Sequence, residues 1–535
     1  MIKFLLVGLL WSIGLAASLP SQGQAWQWAA AQSSGTAGLV EFTAVALDEG
    51  GNTVVAGSFR GTVTLGTFTL TSAGGTDGIV ARLSPAGVWL QATSLGGPNN
   101  EAITAVAVSA AGAVWVAGGF NNTLSLGGAT LTGGTSVSGF YNGMFLANWD
   151  AGGQWQHVAQ AKNLVGVDRI LPEANGDILL VGNYFDANTT FGTVVLPTPV
   201  IRNTFVARYR PGTGWVHVAY ATNGSYLWVG GIALDATGTL VLAGYMQVPN
   251  NMPITFGAQT VTVPASSGNQ ALFVARFGLD GTWTQLAYAS PGASPAAEVA
   301  LALDTNGDAL VAGSLTTSQG TFGALTLQNP TGNNAYPFLA RLNAAGSWVQ
   351  VQGGVGPGGR AILNRDGSYT RFTEDNTSFE ATATTATGVT TPLLRASSSA
   401  GIVLRCTAMS PTGQLVMAGT FSNPSATFGS LALTTTNQQA AFVASAAGRP
   451  LAAKAAEGPA ALLLFPNPAR HAATLRLPAP IAKPLPVAVF DALGHLVRQQ
   501  ALPAHATEVV LDLAGLSPGL YLVRAGTATS RLAVE

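Results

Sequence analysis

The chain has 535 residues, 24 of them acidic and 23 basic, so its formal net charge is −1. Only 9% of the residues are charged and no basic patch exists, which excludes a typical nucleic-acid partner. A single cysteine, Cys406, excludes an intramolecular disulfide, and we expect it to be a small buried hydrophobe within a strand.

Residues 1–18 have the pattern of a secretory signal peptide. Lys3 supplies an early positive charge, an apolar run follows, and Ala16, Ala17 and Ser18 are small enough for a cleavage site. No later stretch has the length of a membrane-spanning helix, so we expect no membrane span.

Residues 25–446 are dominated by a repeat whose first part alternates small apolar residues around a D-x-x-G turn. One copy reads ALALDTNGDALVAGSL at 300–315, a pattern typical of a β-hairpin. The turn glycine should have a positive φ, and an aspartate such as Asp304 should accept backbone N–H groups of the turn. Clear copies begin near residues 44, 105, 169, 231, 300 and 406, and a degenerate copy occupies 361–397.

The second part of each copy adds an F-V-A-R strand and a strand that starts with tryptophan. Four strands per copy, repeated head to tail, are typical of propeller blades. The sequence therefore predicts an all-β, seven-bladed β-propeller, with six or eight blades as the alternative because 361–397 is degenerate. The last copy lacks a tryptophan strand, and AWQWAAAQSSG at 25–35 resembles SWVQVQGG at 347–354. We expect Trp26 and Trp28 to close the ring beside 442–445.

The composition changes after the repeats. Residues 447–461 are rich in alanine and proline and read as a linker. Residues 462–535 alternate strands and turns in a pattern that predicts a small Ig-like β-sandwich.

This tail resembles the type A C-terminal sorting domain of type IX secretion. Its three motifs comprise Phe465, Pro466, Asn467 and Pro468, then Phe490, Asp491 and Gly494, then Leu516, Gly519 and Tyr521. The resemblance implies type IX secretion machinery as a partner, removal of the tail, and a location that is secreted or on the outer cell surface of a Gram-negative bacterium. The repeats resemble a bacterial β-propeller repeat family often attached to such tails, which identifies no ligand.

Three patterns that suggest chemistry are better explained by structure. The run from Asp304 to Asp308 begins like a calcium loop, but its glycine is fourth and position twelve is Ser314. Ser517 lies in a G-x-S-x-G pattern, but the following Pro518 disfavours the helix that a nucleophile elbow needs. No histidines are spaced four residues apart as metal ligands. We therefore expect no catalytic residue, metal or cofactor.

The loops that enter the copies vary most, and in a propeller they surround one mouth of the central channel. Their polar and aromatic residues are candidates for a ligand site, although solvated loop residues are the plainer interpretation. The candidates are Glu101, Asp168, Tyr226, Trp228, Glu298 and Arg360.

The sequence favours a monomeric, non-enzymatic module that binds a glycan or a protein. The alternative is a secreted propeller glycoside hydrolase or lyase whose carboxylates come from Glu101, Asp168 and Glu298. That alternative needs two of these carboxylates within roughly 5–10 Å of each other.

Overall fold

The computed structural model describes residues 25–32, 38–134, 141–163, 165–199, 201–222, 226–247, 253–263, 270–290, 299–332, 334–410, 412–446, 463–476, 485–491, 496–503, 506–525 and 528–535. Contacts divide the chain into two units between residues 448 and 449. The regular structure of the described residues is β-strand. Among them no helix is long and apolar enough to cross a bilayer. The signal-peptide, linker and Gly494 predictions lie outside the described residues.

The N-terminal unit contains forty strands, in chain order. The first twenty are β1 (Trp26–Ala31), β2 (Leu39–Leu47), β3 (Thr53–Arg60), β4 (Thr62–Leu65), β5 (Phe68–Thr71), β6 (Asp77–Leu83), β7 (Trp89–Leu95), β8 (Glu101–Val108), β9 (Val114–Phe120), β10 (Thr123–Leu126), β11 (Ala129–Thr132), β12 (Gly143–Trp149), β13 (Trp155–Lys162), β14 (Val165–Pro172), β15 (Ile178–Tyr184), β16 (Thr190–Phe191), β17 (Val194–Val195), β18 (Asn203–Arg210), β19 (Gly214–Thr222) and β20 (Tyr226–Leu234). The others are β21 (Leu240–Gln247), β22 (Pro253–Phe256), β23 (Gln259–Thr262), β24 (Gln270–Phe277), β25 (Trp283–Ser290), β26 (Ala300–Leu303), β27 (Ala309–Leu315), β28 (Gln319–Phe322), β29 (Leu325–Gln328), β30 (Tyr336–Leu342), β31 (Trp348–Gly353), β32 (Ala361–Leu363), β33 (Tyr369–Glu374), β34 (Ser378–Thr384), β35 (Thr390–Ser398), β36 (Ile402–Met409), β37 (Leu415–Ser422), β38 (Ser425–Phe428), β39 (Leu431–Thr434) and β40 (Gln439–Ala446).

The main strands form antiparallel four-stranded sheets, one for each copy of the repeat. We number them by copy: sheet 1 (β2-β3-β6-β7), sheet 2 (β8-β9-β12-β13), sheet 3 (β14-β15-β18-β19), sheet 4 (β20-β21-β24-β25), sheet 5 (β26-β27-β30-β31), sheet 6 (β32-β33-β34-β35) and sheet 7 (β36-β37-β40-β1). The degenerate copy at 361–397 thus forms sheet 6. The hairpins β16-β17, β22-β23, β28-β29 and β38-β39 extend the outer strands of sheets 2, 3, 4 and 6. The hairpins β4-β5 and β10-β11 pair only within themselves among the described strands.

Each pair of neighbouring sheets shares an apolar core. Separate clusters of buried residues join sheets 1 and 2, 2 and 3, 3 and 4, 4 and 5, 5 and 6, and 6 and 7. A further cluster joins sheet 7 to sheet 1, through Val416 and Val443 on one side and Phe42 and Val55 on the other. Burial between sheets, the main stabilising term, therefore continues from the last copy to the first.

The hairpin turns have the predicted geometry. The turn glycines have φ between 76° and 87°, namely Gly51, Gly112, Gly176, Gly238, Gly307, Gly367 and Gly413. The Asp304 carboxylate accepts the N–H groups of Asn306 and Asp308 at 2.8 and 3.0 Å. The D-x-x-G motif is therefore explained by the turn it forms.

The V-A-G motif is explained by a bulge in the inner strand opposite it. In β2 the register shifts between Phe42 and Ala44, and a Cβ on the facing Gly57 would lie 1.9 Å from the Glu41 carbonyl oxygen. The same shift occurs in β8, β14, β20 and β36. Only glycine allows this close approach of two backbones.

Side chains at these bulges also connect adjacent inner strands. Thr43 donates its hydroxyl to the Ile103 carbonyl, and Thr104 donates to the Val167 carbonyl, both at 2.7 Å. The Cys406 thiol lies 3.8 Å from the Phe42 carbonyl and links sheet 7 to sheet 1 in the same way. Cys406 is only half-buried, unlike the expectation, because the bulge in β36 places it on the central cavity.

The N-terminal strand β1 lies where the sequence predicted. It pairs antiparallel with β40, from Trp26 opposite Ala446 to Ala31 opposite Phe442. The Trp26 indole N–H donates to the Arg395 carbonyl of sheet 6 at 3.0 Å, and Trp28 donates to the Pro85 carbonyl of sheet 1 at 2.8 Å. The strand therefore contacts the sheets on both sides of sheet 7.

The C-terminal unit has two antiparallel sheets around one apolar core. Its strands are β41 (Leu463–Phe465), β42 (Ala472–Arg476), β43 (Leu485–Phe490), β44 (Leu496–Leu502), β45 (Glu508–Asp512), β46 (Gly519–Ala525) and β47 (Ala528–Val534). The sheets have the orders β41-β42-β45 and β44-β43-β46-β47. Leu475 and Leu511 of one sheet pack with Val487, Val523 and Leu532 of the other.

The motif residues of this unit hold its backbone together. The Asn467 side chain donates to the Arg531 carbonyl and accepts the Ala533 N–H, both at 2.8 Å, so it bridges to β47. Tyr521 is 9% exposed and donates its hydroxyl to the Ser517 carbonyl at 2.8 Å. Ser517 therefore lies in a turn whose carbonyl anchors a tyrosine, in line with a structural role for this motif.

Candidate functional site

A cavity of about 810 Å³ lies between the inner strands of the N-terminal unit. All seven inner strands contribute to its wall, and most of the wall is formed by small apolar residues such as Ala105 and Ala300. Its polar and aromatic wall residues include Thr43, Thr104, Asp168, Arg169, Trp228, Arg360, Arg405 and Cys406. The inner-strand bulges place Thr43, Thr104, Asp168 and Arg405 there.

Asp168 is the acidic residue of the described cavity wall. Its carboxylate accepts a hydrogen bond from the Asn183 amide. Burial within the ring of sheets raises the pKa of Asp168, while the charges of Arg202 and Arg169 and the Asn183 hydrogen bond act in the opposite direction. The group keeps some contact with the cavity, so the raised pKa reflects the protein mass around it.

Trp228 supplies an aromatic surface beside Asp168. It is partly exposed, and the Arg202 guanidinium lies 5.7 Å from its ring centroid and 5.0 Å from that of Phe185. Phe185 is 38% exposed. Cation–π contacts of this kind hold an arginine over an aromatic ring and present charge and π-surface together.

Two arginines of the cavity wall are held by carboxylates. The Arg360 guanidinium donates to the Leu404 carbonyl at 2.7 Å and lies 3.2 Å from the Glu374 carboxylate. The Arg405 guanidinium lies 3.1 Å from the Glu41 carboxylate. These pairs are partly exposed, so they fix geometry more than they add stability.

The Cys406 thiol reports on the charges around it. Burial raises its pKa to about 12, and the positive charges of Arg360 and Arg169 act against that rise. The thiol is therefore protonated at neutral pH and is not an activated nucleophile.

Three of the six predicted ligand residues line the cavity: Asp168, Trp228 and Arg360. The backbone of Tyr226 pairs with Gln247 at the start of β20, and Glu298 lies outside the described residues. Glu101 is 0% exposed and does not line the cavity. It begins β8, and its carboxylate accepts the Gly97 N–H at 2.8 Å, so it holds the preceding loop. Sequence reasoning missed Arg169 and Arg405.

Glu101 belongs to a buried acidic pair. Burial raises the pKa of Glu101 to about 7, and the charge of Asp77 raises it further, while the Gly97 hydrogen bond lowers it. Burial also raises the pKa of Asp77, against hydrogen bonds from Ala73 and Gly74. One oxygen of each carboxyl group is buried without a hydrogen-bond partner. Ionising the pair is therefore unfavourable in the folded state.

We expect Glu101 to make folding stability fall as the pH rises. Below pH 4.5, the ordinary pKa of the group, it is protonated in both states; between 4.5 and about 7 only the unfolded chain releases the proton. The free energy of unfolding should drop by about 1–3 kcal/mol over this window. Urea unfolding at pH 4.5, 6 and 8 tests this, and Glu101→Gln should flatten the profile. A profile that Glu380→Gln flattens equally would contradict the assignment.

The described residues contain no group of three or more His, Cys, Asp or Glu side chains that could hold a metal ion. Asp168 is accompanied in the cavity wall by arginines and an aromatic ring rather than by further acids. The arrangement is suited to binding polar or charged groups against an aromatic surface.

Residues 463–534 match the family of secretion-system C-terminal sorting domains. The match indicates secretion or cell-surface attachment through type IX secretion and implies interaction with that machinery. No curated protein sequence is similar enough to count as a relative of this chain.

Several solved structures are distantly similar. A protein of unknown function from Dyadobacter fermentans is 11% identical, with coverage of 80% of this chain and 100% of that one and a TM-score of 0.35. An ulvan lyase is 11% identical over 74% of this chain and 93% of its own, with a TM-score of 0.38. A leech intramolecular trans-sialidase is 10% identical over 74% and 65%, with a TM-score of 0.30. Likeness at this level assigns no activity, and what the family match establishes is a C-terminal sorting domain for secretion.

Proposed function

We propose that the N-terminal unit is a closed seven-bladed β-propeller. Apolar clusters between successive sheets, including the cluster between sheets 7 and 1, support the ring. The pairing of β1 with β40 supports closure by the N-terminal strand, which covers the edge that sheet 7 would otherwise expose.

On this fold we propose a secreted, non-enzymatic binding module whose ligand, a glycan or a protein, enters the central cavity. The observation that carries the proposal is the variation of the cavity wall between copies that are otherwise alike. Asp168, Arg169 and Arg405 occupy inner-strand positions that hold small or neutral residues in other copies, and Trp228 lies beside them. A wall that served only packing would keep the small residues.

The carboxylates support binding better than hydrolysis. A glycosidase needs two carboxyl groups that flank the scissile bond. Asp168 lines the cavity, but Glu101 is fully buried and holds the Gly97 loop, so it is inaccessible to a substrate. The described wall therefore offers one acid where that chemistry requires two.

An array of glycans and proteins, probed with the full secreted chain, tests the binding proposal. We expect one class of ligand to bind, and Trp228→Ala to weaken that binding at least about tenfold, because aromatic anchors dominate recognition sites. Leu90→Ala is the control, since Leu90 is 44% exposed on the outer strand β7, away from the cavity. Full binding by the Trp228 variant would contradict a cavity site.

Removing residues 461–535 should stop the protein in the periplasm. The family match at 463–534 supports this, because the sorting domain is the part that implies the type IX machinery. Fractionation of cells that express the truncated chain, with antibodies against the N-terminal unit, measures the outcome. Undiminished surface display or release of a folded truncated protein would contradict the prediction.

A further inference from the structure

We propose that the cavity is selective for acidic oligosaccharides and that Arg169, with Arg360 and Arg405, receives their carboxylate or sulfate group. This inference rests on the binding function proposed above and deepens it by naming the ligand class.

The arginines have no evident role in the repeat. Arg169 and Arg360 precede the turn acceptors Glu173 and Asn364 by four residues, where other copies have Ala44, Ala105 and Ala300. Sheets with alanine there form the same strands and the same bulge. The fold therefore does not require a cation at this position, and its presence in two copies calls for another explanation.

Positive charge exceeds negative charge around the described part of the cavity wall. The guanidinium groups belong to Arg169, Arg202, Arg360 and Arg405, and the carboxylates that act on them belong to Glu41, Asp168 and Glu374. Within the described residues no carboxylate lies within salt-bridge distance of Arg169. Its guanidinium donates to the Asp168 carbonyl oxygen at 2.8 Å, which leaves further N–H donors for a ligand.

The cations converge although they come from different sheets. Arg169 precedes the turn of sheet 3 and Arg360 that of sheet 6, yet both charges act on the Cys406 thiol of sheet 7. Arg405 adjoins that cysteine in the chain. An anionic group near Cys406 would therefore meet guanidinium groups from several directions, which is how planar anions are recognised with specificity.

The size and wall of the cavity favour a sugar over a protein surface. A volume of about 810 Å³ suits a small oligosaccharide, since ligand pockets typically span about 300–1,000 Å³. Trp228 adds an aromatic face in the same wall. A folded partner would contact only the rim, where these arginines do not lie together.

Titration calorimetry on the full secreted chain tests the selectivity. The probes are oligogalacturonate and a sulfated galactan oligosaccharide, each beside its neutral form after carboxyl reduction or desulfation. We expect at least one acidic probe to bind, its neutral form to bind about tenfold more weakly, and Arg169→Gln to cause a similar loss, because a hydrogen bond to a charged group is lost. Raising the salt from about 0.05 to 0.5 M should weaken the acidic probe only.

Arg365→Gln is the matched control, because Arg365 is exposed in the turn of sheet 6 and does not line the cavity. Equal binding of acidic and neutral probes, with loss in Trp228→Ala, would overturn the charge selectivity and leave the binding function intact. Binding of proteins but of no oligosaccharide would overturn the ligand class. Unchanged acidic binding in Arg169→Gln, with an unchanged melting temperature, would overturn the role of Arg169.

Discussion

A mature chain that lacks residues 25–32 is expected to lose cooperative unfolding and to aggregate. Trp26 and Trp28 pack on opposite sides of sheet 7: Trp26 contacts Phe428 at 5.0 Å between ring centroids, and Trp28 packs with the core between sheets 7 and 1. Truncating one buried tryptophan costs about 3–5 kcal/mol, and two such losses approach the entire stability of a typical domain, about 5–15 kcal/mol.

The deletion also exposes the edge of β40, which pairs with β1 along five positions. An exposed apolar edge is a template for intermolecular pairing. Calorimetry and light scattering measure both consequences. Gln27→Ala is the control from the same strand, because Gln27 is exposed and contributes one long contact to Ser445 at 3.4 Å. A deletion variant that melts like the intact chain would show that β1 does not hold the ring together.

Arg208→Ala should destabilise the N-terminal unit by about 3–5 kcal/mol, because it leaves a buried carboxylate without its partner. Arg208 is 1% exposed and binds Glu173 through two nitrogens, at 2.7 and 3.2 Å. Its third nitrogen donates to the Leu279 carbonyl at 2.6 Å, so it also joins sheet 3 to the turn of sheet 4.

Arg210→Ala is the matched control two residues away. Its side chain is 51% exposed and pairs with Asp177 at 2.8 Å, so its loss should cost no more than about 1 kcal/mol. The double variant Arg208→Met, Glu173→Met should recover most of the loss, because an apolar pair needs no desolvation of charge. Equal losses in the two alanine variants, measured by urea unfolding, would contradict the burial argument.

The turns and the closing strand could be predicted because each is specified locally. A glycine with positive φ and an aspartate that accepts backbone N–H groups leave a signature within four residues, as at Asp304 and Gly307. The role of Trp26 was predictable because its strand repeats the pattern of the strand at Trp348. Both indoles donate to a carbonyl of the preceding sheet, at 3.0 and 2.9 Å.

The cavity wall was only partly predictable, because the bulges in the inner strands decide which residues face it. Asp168 was anticipated, but the neighbouring Arg169 was missed, although comparison with the other copies shows an arginine where they have alanine. Glu101 was placed at the mouth because its loop varies. Its carboxylate instead turns back to the Gly97 N–H, a tertiary contact that the sequence does not encode locally.

The pairing of the T-F-G hairpins was also beyond the sequence. Phe256 belongs to the copy that forms sheet 4, yet its strand pairs with β19 of sheet 3. Its ring packs edge-to-face on Trp283 of its own copy, with centroids 4.8 Å apart. Such cross-copy pairing depends on how neighbouring sheets are stacked, which a period in the sequence does not specify.

A crystal structure of the full secreted chain with an acidic oligosaccharide tests the central claim, that the cavity between the seven inner strands is the ligand site. The account predicts sugar density inside this cavity, with the carboxylate or sulfate group within hydrogen-bonding distance of Arg169 and a sugar ring beside Trp228. Density on the D-x-x-G turns, with the cavity free of sugar, would contradict it.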